Sequence, residues 1–149
     1  MSFAQLSLKG RALRLLSGRE HSRLELERKL SSFEEKPGEL CKALDELQAK
    51  GFISEARVIE SVVHRRGAKL GTARIKQELQ GKGLDPEAVT EALAGLRATE
   101  HARALEVWRK KFGEPPGDAQ ASAKQMRFLA SRGFGGDVIR RIVDGASDD

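Results

Sequence analysis

Gly71-Thr72-Ala73-Arg74-Ile75-Lys76-Gln77-Glu78-Leu79-Gln80-Gly81-Lys82-Gly83-Leu84-Asp85-Pro86-Glu87-Ala88-Val89 is the stretch that decides the fold, because its apolar frame occurs three times. Ile75, Leu79 and Val89 have counterparts 49 residues earlier in Leu26, Leu30 and Leu40 (75 − 26 = 49). Leu93 and Leu96 answer Leu44 and Leu47 at the same offset. Fifty residues further on, Leu79 maps to Leu129, Val89 to Ile139 and Leu93 to Val143 (129 − 79 = 50). Lys82-Gly83-Leu84 returns there as Arg132-Gly133-Phe134. A period near 50 residues marks an array of small units that stack to cover faces one unit cannot cover alone. Such an array is a binding surface before it is a catalyst.

Within each copy, apolar residues fall three and four apart, the period of a helix. The first copy predicts a helix carrying Ala12, Leu13, Leu15 and Leu16 and ending near Gly18. Ser22 and Glu25 have capping-box spacing and start a second helix, with Leu26, Leu30 and Phe33 on its buried side. Pro37 is expected to open a third helix, carrying Leu40, Leu44 and Leu47 and closed by Gly51. In the second copy Ser54 caps a helix with Val58, Ile59, Val62 and Val63 inward, and Gly67 and Gly71 bracket a loop. Ile75 and Leu79 carry the next helix, and Asp85-Pro86 begins the one with Val89, Leu93 and Leu96. Thr99 is expected to cap the seventh helix, with Leu105, Val107, Trp108 and Phe112. Met126 and Leu129 mark the eighth, and Val138, Ile139 and Ile142 the ninth. The expectation is an all-α protein: nine helices in three tandem three-helix repeats, 1–53, 54–98 and 99–149, stacked into an elongated curved array.

The 149 residues are 39% hydrophobic and 33% charged, as in a soluble globular protein. Cys41 is the only cysteine, which excludes an intrachain disulfide and suits a reducing compartment; between Leu40 and Leu44 it reads as a small core residue. Lys9, Arg11 and Arg14 interrupt the early apolar residues, unlike a secretory signal, and no apolar run is long enough to span a membrane. His21, His64 and His101 are scattered, and there is no HExxH, CxxC or phosphate-loop spacing. Glu34-Glu35 reads as a solvated charged turn. No enzyme activity, metal or cofactor is therefore expected.

The net charge of +5 is uneven. Residues 57–82 hold seven Lys or Arg against Glu60 and Glu78, and residues 103–132 hold seven against Glu106, Glu114 and Asp118. Candidate contacts are Arg65, Arg66, Lys69, Arg74, Lys76 and Lys82 in the second copy. Arg109, Lys110, Lys124, Arg127 and Arg132 are those of the third. Arg74 and Lys124 are equivalent at the offset of 50, as are Lys82 and Arg132, so stacked copies would align them into a basic stripe for an anionic partner. Trp108, with Leu105 and Phe112 on its face, reads as core rather than as a base-stacking platform.

Three motifs in order carry a family resemblance. Arg19-Glu20-His21-Ser22-Arg23-Leu24-Glu25-Leu26 followed by Leu30 resembles the first-repeat motif of the RecX family. Gly71-Thr72-Ala73-Arg74-Ile75, Glu78-Leu79 and Lys82-Gly83 are similar to its central motif. Lys111-Phe112, Arg127-Phe128-Leu129 and Arg132-Gly133-Phe134 are similar to its third. The resemblance implies three three-helix repeats and a non-enzymatic, cofactor-free regulator in the bacterial cytoplasm, expected as a monomer. It implies the RecA recombinase filament as partner, with single-stranded DNA met through the filament; the basic stripe leaves acidic protein surface, the DNA backbone or both open as its direct contact. It further implies inhibition of ATP hydrolysis, strand exchange and filament growth. A stand-alone helix-turn-helix-like DNA-binding protein is the alternative; outward Glu87 and Glu91 on a third helix speak against a major-groove reader.

Overall fold

The computed structural model describes residues 5–145, and every regular element among them is helical. The helices are α1 (Leu8–Gly18), α2 (Arg23–Leu30), α3 (Glu39–Ala49), α4 (Glu55–Gly67), α5 (Thr72–Gln80), α6 (Pro86–Lys111), α7 (Ala119–Ser131) and α8 (Gly136–Gly145). A 3-10 turn, Ser31–Phe33, follows α2.

Local chemistry explains most boundaries. The Gly10 N–H donates to Ser7 Oγ at the start of α1 (3.0 Å). The capping box of α2 is complete: the Glu25 N–H donates to Ser22 Oγ (3.2 Å) and the Ser22 N–H to Glu25 Oε1 (3.0 Å). Ser54 Oγ accepts from the Arg57 N–H ahead of α4, and Asp118 Oδ1 from the Ala121 N–H ahead of α7. Gly51 follows α3 at φ +85°, a left-handed conformation that costs glycine nothing.

The structure corrects four expectations. Helices six and seven are one: α6 runs unbroken for 26 residues through Thr99. Its buried stripe, Val89, Leu93, Leu96, Glu100, Ala104 and Trp108, keeps helical spacing across the expected break. Thr99 Oγ1–H donates to the Leu96 carbonyl inside the helix instead of capping a new one. Eight α-helices therefore replace nine among the described residues. Phe33 is exposed rather than buried, because the chain tightens to a 3-10 turn after Leu30 and leaves the face of Leu26. The Arg11 guanidinium covers its ring at 3.8 Å. Pro37 does not open α3; Gly38, at φ +90°, occupies the N-cap and Glu39 is the first helical residue. Cys41 is exposed, on a different face of α3 from Leu40, Leu44 and Leu47, with Sγ 3.4 Å from Arg23 Nη2.

The chain divides into two units, Met1–Ser61 with Lys82–Asp85, and Val62–Gly81 with Pro86–Asp149. In unit one, α1, α2 and α3 pack on one another around Ala12, Leu26, Leu30, Leu40, Leu44, Leu47 and Ile53. The turn Lys82–Asp85 joins this unit: Gly83, at φ +66°, lies so close to Leu24 that an added Cβ would meet its side chain at 2.8 Å. The Asp85 N–H donates to Glu55 Oε2 (3.3 Å). In unit two, α5, α7 and α8 each pack on α6, and α7 packs on α8. The α6–α8 core holds Ala104, Trp108, Leu129, Phe134, Ile139, Ile142 and Val143.

Candidate partner interface

Long basic side chains reach a partner only where the fold leaves their heads in water, so the candidates divide by what each head already holds. In unit two Lys69, Lys76, Arg109, Lys110, Lys124 and Arg127 are all exposed. Arg65 is also exposed, near the end of α4. Arg66 Nη2 lies 3.4 Å from Glu78 Oε1, half committed to its neighbour.

Two hydrogen bonds to backbone carbonyls bring the second and third basic sets together. The Gly71 N–H donates to the Arg132 carbonyl (2.8 Å), and Arg74 Nη1 donates to the Ser131 carbonyl (2.7 Å). The start of α5 is thus pinned to the end of α7, and Arg74 acts as a clamp. Arg132 turns outward over the Phe128 ring at 5.0 Å, and Lys111 shares that ring at 5.3 Å. Phe112 meets Phe128 edge-on, with centroids 5.5 Å apart. Arg132 and Lys111 are therefore neighbours around one aromatic residue. Arg109 lies instead beside a cleft between α6 and α8.

Lys82 is a correction. Its side chain is buried, with Nζ 2.9 Å from Glu25 Oε1, so it is a structural cation and offers nothing to a partner. Glu25 also receives Arg19 Nη2 and the Ser22 N–H. Burial alone would raise the Glu25 pKa, but Arg19, Ser22 and Lys82 outweigh it and bring it down to about 2.

Two residues outside the sequence motifs hold the unit-two frame. Glu100 is buried; Oε1 accepts from the Thr72 N–H (2.7 Å) and Oε2 from the Gly135 N–H (3.2 Å). Burial pushes its pKa up, but the Thr72 and Gly135 hydrogen bonds and the charge of Arg103 prevail and keep it below the usual carboxylate range. Arg103 donates to the Gly67 and Leu70 carbonyls at 3.0 and 2.6 Å, satisfying groups at and just beyond the end of α4 that the helix leaves bare, and to the Leu96 carbonyl of its own helix at 2.8 Å. The sequence signal for this pair is Glu100 itself, a carboxylate on the buried stripe between Leu96 and Ala104. Such a position demands partners.

His21 is a core residue rather than a metal ligand. Lys29 can only donate, so His21 Nε2 accepts from its Nζ (3.0 Å) and Nδ1–H donates to the Arg19 carbonyl (3.0 Å). Burial pushes the pKa of this imidazole down. Among the described residues no group of side chains could hold a metal ion, and no helix is long and apolar enough to cross a membrane.

Known proteins share this frame. Residues 54–93 match the profile of the RecX second three-helix domain, and residues 98–143 that of the RecX third three-helix domain. The Regulatory protein RecX of Leptothrix cholodnii is 56% identical over 93% of this chain and 88% of its own length. That of Ralstonia nicotianae is 50% identical over 95% of this chain and 89% of its own. The crystal structure of RecX from Lactobacillus salivarius superposes with a TM-score of 0.72 at 23% identity, covering 95% of this chain and 96% of that one. At that identity the superposition speaks for the fold.

Proposed function

The chain belongs to the RecX family, and we propose that it binds the RecA recombinase filament on single-stranded DNA and inhibits its ATP hydrolysis, strand exchange and extension. It would thereby regulate DNA repair and recombination, as a non-enzymatic, cofactor-free monomer of the bacterial cytoplasm. We read the chain as three repeats, 1–53, 54–98 and 99–149, with α6 shared by the last two. The observation that carries the reading is the division of labour among charges in unit two. Arg103 and Glu100 are spent on backbone groups, whereas Lys69, Lys76 and Lys124 are exposed on the frame they hold. Several modest ionic contacts on a rigid body act together once the first has formed.

The direct experiment adds purified protein to RecA on single-stranded DNA and follows ATP hydrolysis and filament length. Both should fall; no effect on either at saturating protein would sink the reading. A triple variant, K69E/K76E/K124E, avoids the clamp Arg74 and the buried Lys82. At low salt it should need about tenfold more protein for half-inhibition, three exposed contacts at about 0.5 kcal/mol each. Undiminished inhibition by a folded triple variant would remove these cations from the interface.

A further inference from the structure

A cleft of about 520 Å³ opens where α6 and α8 meet, in unit two. Leu105, Trp108 and Ile142 give it apolar walls, with Pro115 from the α6–α7 connection. Arg109 and Arg141 line it as well, together with His101, and among the described residues no carboxylate does. Both arginines are exposed, and among the described residues neither is in an ion pair. The contrast with the next residue is direct: Arg140 Nη2 is held by Asp137 Oδ1 at 2.6 Å, so its charge is used locally while that of Arg141 is not.

The Trp108 ring is fixed. Its Nε1–H donates to Gln125 Oε1 (2.9 Å), and Gln125 Nε2 donates to the Glu114 carbonyl (3.1 Å). With 6% of its surface exposed it offers the cleft an immobile apolar edge, not a free stacking face. Apolar walls beside two guanidinium groups suit a ligand that joins a flat apolar body to an anion, and the volume lies in the range of small-ligand sites. A nucleotide has that composition, and a single strand repeats it at every unit. An acidic peptide supplies the anion but leaves the apolar walls uncovered.

We infer that this cleft holds one nucleotide of a single nucleic-acid strand, its base against Leu105, Trp108 and Ile142 and its phosphate on Arg109 and Arg141. The inference rests on the proposed function only for the choice of a single strand as the source of the nucleotide. It gives the chain its own nucleic-acid contact, independent of any filament.

Trp108 is the only tryptophan and there is no tyrosine, so intrinsic emission reports on this cleft. The protein alone, without recombinase, is titrated with a short oligothymidylate at low salt. A saturable change in Trp108 emission is expected, and thymidine monophosphate, which carries the one base and one phosphate the cleft takes, should compete for it. Arg109→Ala with Arg141→Ala should weaken binding at least tenfold and flatten the salt dependence by about 0.7 in log–log slope, the share of one phosphate on a single strand. K42A/K50A, at two exposed lysines of unit one outside the cleft, should keep the emission change. Binding by a folded Arg109/Arg141 variant as tight as wild type overturns the inference. So does an equal emission change on adding poly-glutamate, which would mark the cleft as an acidic-protein site. Because recombinase is absent, failure here leaves the filament reading standing, and failure of filament inhibition leaves this result standing.

Discussion

The turns Lys82–Asp85 in unit one and Arg132–Gly135 in unit two begin with the same grammar: a cation, a left-handed glycine and a large apolar residue. They put their cations to opposite use. Lys82 is buried against Glu25, and Arg132 stands exposed over Phe128. The cause lies in the earlier copy. Glu25 corresponds to Arg74 at the repeat offset (74 − 25 = 49). A carboxylate at that position draws the lysine in. A guanidinium repels Arg132 and takes the Ser131 carbonyl for itself. The apolar frame sets the repeat, and one charge per copy decides whether a basic residue is structural or available.

The two glycines give the largest test of that difference. A Cβ on Gly71 would sit 2.3 Å from the Gly133 carbonyl carbon and oxygen, backbone that cannot swing aside. Gly71→Ala should therefore cost about 3 kcal/mol or more and loosen unit two, seen as a lower melting temperature and lost amide protection in α5 and α7. Gly83 is left-handed (φ +66°), as Gly71 at φ −78° is not, but its nearest neighbour is the Leu24 side chain, which can shift. Gly83→Ala should cost about 1–2 kcal/mol. Equal losses would mean that the two turns are seated alike, against the geometry.

Next in size is the ionic seat of unit one. Glu25→Gln keeps the shape but strands Lys82 and Arg19, at a cost of about 2–3 kcal/mol. The Glu25 pKa is lowered on folding, to about 2. Its stabilisation is thus complete above the ordinary carboxylate range and is lost as pH falls from about 4.5 towards 2. Acid titration of the wild type should show that loss, and Glu25→Gln should flatten it. Glu100, lowered in the same direction, should keep its own acid response in the variant. An unchanged acid profile would show that Glu25 is not what ties Lys82 down.

The same contrast between near and distant partners separates what is legible in the amino-acid sequence from what is not. The repeat, the Ser22–Glu25 box, the Gly51 stop and the core status of Trp108 are legible because each depends on neighbours within a turn or two of helix. Thr99 misleads because a hydroxyl that can cap a helix can also bond a carbonyl inside one. Lys82 misleads because its partner lies 57 residues away, and no local pattern reports a distance of that kind. Cys41 misleads because its neighbours Leu40 and Leu44 are buried while the helix turns Cys41 itself outward. Arg141 carries no signal until α8 is set beside α6.

The smallest expected effect is the most specific to the comparison. If the residue at the Glu25/Arg74 position sets the fate of the later cation, Arg74→Glu should turn the second turn into a likeness of the first. The variant loses the bond to the Ser131 carbonyl but gains Arg132 as a partner, so its net cost should be below about 1 kcal/mol. A double-mutant cycle with Arg132→Ala should then reveal a coupling of about 0.5–1 kcal/mol that is absent when Arg74 is native. Glu25→Arg, the reverse exchange, sets three cations together with Arg19 and Lys82 and should be far more damaging. If Arg74→Glu gains no coupling to Arg132, the turn itself, and not the facing charge, holds that arginine outward, and the two turns differ for a reason built into their backbones.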